Sequence, residues 1–245
     1  MPTPDTMSDP VDRLYVALDT PDLTEAVTLA ERLQGLIGGV KLGKEFFTAN
    51  GPAGVARLAE FGLPVFLDLK FHDIPTTVTG AVRATAPMKP AMINVHASGG
   101  AAMMRAAAEA AAEAGPNRPL VVAVTVLTSL DDADLDSLGV GAPVREQVVH
   151  LAVMAKQCGL DGVVCSAREV MALRGACGSS FRLVVPGIRP AWAEAGDQKR
   201  VVTPSDAVAL GADDLVIGRP ITAAADPADA ASRIGAEMRA AADAR

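Results

Sequence analysis

Aromatic residues are scarce in this 245-residue sequence, which has six Phe, one Tyr and one Trp. That scarcity disfavours an aromatic-rich β-sandwich and leaves Ala, Val, Leu and Gly to fill close-packed helix-on-strand layers. Cysteine is scarce too. Cys158, Cys165 and Cys177 are odd in number and show no C-x-x-C spacing, which argues against a disulfide framework and fits a reducing cytoplasm. Positive charge is in deficit: 22 Lys and Arg against 29 Asp and Glu give −7, the wrong sign for a general nucleic-acid binder. An anionic ligand would need a local cluster of Lys or Arg. No apolar run approaches the ~20 residues that span a membrane. The polar, Pro-rich residues 1–10 lack the apolar core of a secretory signal. The expectation is a soluble, cytoplasmic protein with a flexible N-terminal extension over residues 1–12 and one domain over 13–245.

Half of the residues are hydrophobic, enough for a large core, and they fall into two alternating textures. Short apolar, β-branched runs predict buried strands at 13–19, 39–42, 64–70, 91–96, 120–127, 162–165, 182–186 and 214–218. Ala- and Leu-rich stretches of helical period lie between them, among them 23–33, 54–61, 101–114, 144–158 and 204–210. Eight strands alternating with helices imply right-handed βαβ units around a parallel sheet. That number in a chain of this length predicts a single-domain (β/α)₈ TIM barrel. The alternative is a doubly wound open sheet. It would more often carry a Gly-rich turn after the first strand, where Asp19-Thr20-Pro21-Asp22 stands instead. Two longer polar connections are expected, at 128–142 and 187–200.

A barrel carries its active site where strands end and βα loops begin. The polar residues at those ends are Asp19, Lys41, Asp68 and Lys70 with Asp73 just beyond, His96, Thr128 with Ser129, Arg189, and Gly218 with Arg219. Asp68 and Lys70 are two apart, so on a regular strand both point into the barrel, about 6.6 Å apart along the axis. A lone D-x-K reads as a buried structural ion pair. With Lys41 on the adjacent strand and Asp73 on the following loop, the pattern becomes an alternating Lys–Asp array, more than stability requires.

The run Asp68-Leu69-Lys70-Phe71-His72-Asp73-Ile74-Pro75-Thr76-Thr77 resembles the D-x-K-x-x-D-I-P-x-T signature of the orotidine 5′-monophosphate decarboxylase family, bacterial form. The resemblance extends through Ala17-Leu18-Asp19, Val40-Lys41-Leu42-Gly43, Asn94-Val95-His96-Ala97, Thr125-Val126-Leu127-Thr128-Ser129, Pro186-Gly187-Ile188-Arg189-Pro190, Gly196-Asp197-Gln198 and Ile217-Gly218-Arg219-Pro220-Ile221, in that order. It implies conversion of orotidine 5′-monophosphate to uridine 5′-monophosphate (UMP) and carbon dioxide, the last step of UMP biosynthesis, without cofactor or metal. Lys70 would protonate C6 of the pyrimidine, Asp68 would face the substrate carboxylate, and Lys41 and Asp73 would complete the charge array. The resemblance also implies a homodimer, with Asp73 and Thr77 completing the partner subunit's site. Asp19 and Lys41 would contact the ribose. Thr128 would meet the pyrimidine edge and Pro186 would join the substrate-binding set. Arg189, Gly218 and Arg219 would grip the phosphate, with Gln198 bridging toward the base.

The residues support the same chemistry without the family. Loss of carbon dioxide leaves a carbanion, and no motif offers a cofactor as electron sink. Fixed cations must then stabilise the charge and supply the proton. Gly218 and Arg219 at a strand end, before helical sequence resumes, suit a phosphate. The Gly-bounded segment 187–200, holding Trp192, suits a lid. His72 and His96 border the expected site and are read as packing or hydrogen-bonding residues, and His150 as structural. One rival is a Mg²⁺-dependent sugar-phosphate decarboxylase, aldolase or epimerase on a related barrel. It would need an acid on strand two, where Lys41 would repel the ion. The other is a catalytically silent phosphate-binding barrel.

Overall fold

Residues 9–193 and 202–244 are described by the structure, a computed structural model. The strands are β1 (Leu14–Ala17), β2 (Gly39–Gly43), β3 (Val65–Phe71), β4 (Met92–His96), β5 (Leu120–Val124), β6 (Gly162–Val164), β7 (Arg182–Pro186) and β8 (Asp214–Ile217). They pair in parallel in sequence order and close between β8 and β1. The fold is a (β/α)₈ barrel. Its helices are α1 (Leu23–Leu33), α2 (Lys44–Ala59), α3 (Pro75–Thr85), α4 (Gly100–Ala112), α5 (Asp132–Ser137), α6 (Val144–Gln157), α7 (Val170–Cys177), α8 (Pro204–Leu210), α9 (Arg219–Thr222) and α10 (Pro227–Asp243).

Period-two alternation sorts each strand into outward and inward sets. Outward residues such as Val16, Leu42, Leu67, Ile93 and Val163 join the helices in the main core. Inward residues fill the barrel in layers. The middle layer is apolar: Tyr15, Ala17, Phe66, Met92, Val122, Val184 and Val216, with Tyr15 and Phe66 edge to face at 6.3 Å. Below it, at the strand N-termini, the Arg182 guanidinium donates to Asp214, with Nη2 2.7 Å from Oδ1. Above it, at the C-terminal ends, lie Lys41, Asp68 and Asn94, all buried. An apolar plug thus separates two polar ends.

Helix boundaries follow local chemistry. Asp22 caps α1 through the Thr24 and Glu25 N–H groups, and Thr203 and Asp206 form a capping box on α8. Three expectations need correction. The helix expected at 54–61 begins at Lys44 and breaks at Gly51 (φ 59°), where Pro52 restarts it. The polar connection at 128–142 contains α5, nucleated by an Asp131–Asp134 capping box. The strand expected to reach residue 127 stops at Val124, and just past it the N–H and the hydroxyl of Thr125 both donate to the Val164 carbonyl. Residues 10–12, placed in the N-terminal extension by sequence, form with Arg13 a 3₁₀ turn against α10. There Val11 is buried and Asp9 pairs with Arg239 at 2.8 Å.

Candidate active site

Three strands, β1 to β3, deliver one chain of alternating charge to the barrel mouth, and β4 adds the Asn94 amide. Lys41 Nζ donates to Asp19 Oδ1 at 2.9 Å and lies 3.3 Å from Asp68 Oδ2. Asp68 Oδ1 accepts from Lys70 Nζ at 2.5 Å and from Asn94 Nδ2 at 2.6 Å. Burial pushes the Asp68 carboxyl up, but the Lys41 and Lys70 ammoniums and these hydrogen bonds outweigh it and hold the carboxyl below its usual range. A unit charge pair at 4 Å and an effective dielectric near 20 gains roughly 4 kcal/mol. Two lysines therefore keep Asp68 an anion while Asp68 keeps both ammoniums over the mouth.

Within one chain the array's second acid is Asp19. Asp73, which the resemblance assigns to the partner subunit's site, is exposed and accepts the N–H of its own neighbour Ile74 at 2.6 Å. Residues 72–77, Thr77 included, are all exposed, and Ile74 is 64% exposed. The array differs from the sequence expectation in one respect: β3 is not regular at the site. Between Leu67 and Phe71 it advances four residues while β4 advances two, from Ile93 to Val95. Lys70 takes a left-handed backbone, φ 54°. The bulge, not simple alternation, folds the Lys70 side chain back onto Asp68.

Two participating residues were given no role by the sequence reading. Asn94 joins the array through its side-chain amide; a polar residue at an inward position between Met92 and His96 was the available signal. Gly43 is the other. A Cβ there would lie 3.1 Å from both Asp19 Oδ1 and Lys41 Nζ, so the bare backbone leaves room for that ion pair.

The other half of the mouth is a cleft of about 860 Å³ between the ends of β5, β6 and β7. Thr128, Ser129, Ser166, Glu169, Pro186 and Gly187 line it. Glu169 ties the loop after β6 by accepting from the Ser166 N–H and hydroxyl at 2.6 and 3.0 Å. Arg189 is buried beyond β7, and its N–H bonds the Val202 carbonyl. Gly218 follows β8, and its carbonyl accepts from Ile221 and Thr222 to start α9, leaving Arg219 exposed at the first position. Gln198 and half of the expected lid, residues 194–200, lie outside the described residues. Trp192, at the near end of that segment, stacks under the Arg233 guanidinium of α10, 4.2 Å from the ring centroid.

His72 and His96 face each other at 5.4 Å, whereas His150 is exposed on α6. Burial, then His72 and the Lys44 and Lys70 ammoniums, push His96 down to about 4. The folded pKa is depressed below 6.5, so the unfolded chain takes up the proton first as pH falls. The stabilising contribution is complete above about pH 6.5 and is lost between there and about 4. His96→Gln should flatten the fall in denaturant midpoint between pH 7 and 4.5; an unchanged slope would place the acid sensitivity elsewhere. Among the described residues, no group of three or more His, Cys, Asp or Glu is placed to hold a metal ion, and no helix is long and apolar enough to cross a membrane.

Known proteins share this architecture and sequence. Residues 12–234 match the family described as orotidine 5′-phosphate decarboxylase / HUMPS. A protein named orotidine 5′-phosphate decarboxylase from Paramagnetospirillum magneticum is 56% identical over 232 residues, covering 93% of this chain and 99% of that protein. Another of that name from Rhodospirillum rubrum is 56% identical over 243 residues, 97% of each. The crystal structure of orotidine 5′-phosphate decarboxylase from Lactobacillus acidophilus superposes with a TM-score of 0.82 at 37% identity, covering 92% of this chain and 98% of that one. With its sequence, its barrel and its charge-lined mouth in agreement, this chain belongs to the orotidine 5′-phosphate decarboxylase / HUMPS family.

Proposed function

We infer that this chain decarboxylates orotidine 5′-monophosphate to UMP, and that Lys70 is the group that protonates C6. The first half rests on relatives of that name over nearly the whole chain. The second rests on one observation: a charge chain, Asp19–Lys41–Asp68–Lys70, that ends at the barrel mouth on Lys70, whose side chain is 26% exposed.

As carbon dioxide leaves, the electron pair of the broken bond stays on C6 and the Lys70 ammonium lies ready to stabilise it. Transfer of a proton from Nζ then completes UMP. Asp68 orients Lys70 and faces the departing carboxylate. Asp19 and Lys41 hold the ribose hydroxyls, and Thr128, with Pro186 beside it, reads the pyrimidine edge. Arg189, Gly218 and Arg219, with Gln198, take the phosphate. Binding energy from that remote group supplements the chemistry at C6. The three buried, unbridged cysteines support a reducing, cytoplasmic setting.

The test is loss of substrate absorbance with purified protein in EDTA. Turnover supports the reading; activity only on a sugar phosphate with added Mg²⁺, or binding without turnover, overturns it.

We further propose that the working unit is a homodimer in which Asp73 and Thr77 complete the partner's site. The exposure of residues 72–77, Ile74 above all, supports this, since a large exposed apolar side chain beside a charged site suits an interface. Mixing inactive Lys70→Ala and Asp73→Ala proteins in equal amounts should restore about a quarter of wild-type activity. Half of the dimers would be hybrid and each would hold one intact site. No recovery after exchange would mean that each chain uses its own Asp73.

A further inference from the structure

The bulge in β3 leaves a problem that Asn94 solves. Pairing between β3 and β4 holds at Phe66–Met92 and Leu67–Ile93 and resumes only at Phe71–Val95. The backbone between is out of the ladder, and the Lys70 N–H there needs an acceptor. Lys70 also sits at φ 54°, a conformation that crowds the Cβ of any non-glycine residue against its own backbone. Such a backbone persists only where its surroundings fix it.

Asn94 is 1% exposed on the inward face of β4. Its Oδ1 accepts from the Lys70 N–H at 2.7 Å, and its Nδ2 donates to Asp68 Oδ1 at 2.6 Å. The orientation of the amide is forced, because the peptide N–H can only donate and the ionised carboxylate can only accept. One side chain therefore grips both ends of the Asp68–Lys70 segment, its backbone at Lys70 and its carboxylate at Asp68. No apolar residue of similar size could do either.

We propose that Asn94 is a positioning residue for decarboxylation, a side-chain stand-in for the missing strand acceptor that locks Lys70 and Asp68 in working register. The inference rests on the reading of Lys70 as the proton donor. Displacing a catalytic group by about 1 Å can cost on the order of 10²-fold. Asn94→Ala should lower kcat by about that factor, with KM and the dissociation constant for UMP changed less than about threefold. Asn94→Asp keeps the size and the acceptor but lacks the amide donor. At 2.6 Å two carboxylates share one proton. That variant should gain an ionisation in its kcat–pH profile, recovering activity as pH falls and the shared proton bridges to Asp68.

The inference is overturned if kcat per folded molecule survives in Asn94→Ala, if KM rises in its place, or if the Asn94→Asp profile runs parallel to wild type. Should Asn94→Ala fail to fold, the profile of Asn94→Asp decides alone. Lys70→Ala measured alongside separates the two readings. Turnover surviving there overturns Lys70 as proton donor, whereas an inert Lys70→Ala beside an unimpaired Asn94→Ala overturns only the assignment of Asn94.

Discussion

Lys70→Ala should lose turnover by about 10⁴-fold or more and still bind UMP within about tenfold of wild type. Two losses combine: a positioned proton donor contributes about 10²–10⁴-fold, and a preorganised charge aimed at a developing anion about 10²–10³-fold. Product affinity should survive, because the proposed phosphate and base contacts at Arg189, Gly218, Arg219 and Thr128 lie beyond the ends of β5, β7 and β8 and not on β3. The fold should survive too. Asp68 keeps Lys41 at 3.3 Å and Asn94 at 2.6 Å, so no buried anion is abandoned. Lys70→Arg divides the two contributions. A guanidinium keeps the charge but does not release a proton in a protein, so it should recover part of the electrostatic factor and none of the transfer. Turnover within a hundredfold of wild type in Lys70→Ala would remove Lys70 from the chemistry.

The architecture was legible because a parallel barrel writes itself twice, as apolar strands at regular intervals and as helical period between them. Each predicted strand overlaps one observed, and both boundaries of α1 and α8 agree, since Asp22 and Thr203 cap them in sequence-local fashion. The errors came from contacts that no local pattern encodes. Just past β5, Thr125 bonds a carbonyl at Val164, 39 residues away. The bulge at Lys70 depends on Asn94, 24 residues away. Strand alternation foretold that Asp68 and Lys70 would meet, but a regular strand would have held them parallel; a left-handed lysine brings ammonium onto carboxylate. Asp19, expected at the ribose, is also an ion-pair partner of Lys41, a role that needs β1 and β2 in register.

At the opposite end of the barrel, Arg182→Met should destabilise the protein by about 3–5 kcal/mol, the usual cost of leaving a buried charge unpaired. Asp214 is 0% exposed, and the Arg182 guanidinium binds both of its oxygens. Asp214 in turn raises the basicity of Arg182 through that contact, whereas burial pushes the Asp214 carboxyl up against the pull of the guanidinium. At roughly 2–4 °C per kcal/mol for a chain of this size, the melting temperature should fall by about 6–20 °C. Adding Asp214→Leu to Arg182→Met should restore much of the loss, because an apolar pair of similar volume needs no counter-charge. The apolar layer of Tyr15, Phe66, Met92, Val122 and Val216 stands between this floor and the lysines of the mouth. Turnover per folded molecule at 25 °C should therefore stay within about twofold in both variants. A fall in kcat that tracks the loss of stability would mean that the interior layers transmit strain from floor to mouth. A single variant as stable as wild type would mean that the floor tolerates an unpaired carboxylate, by taking up a proton that Arg182 now keeps off.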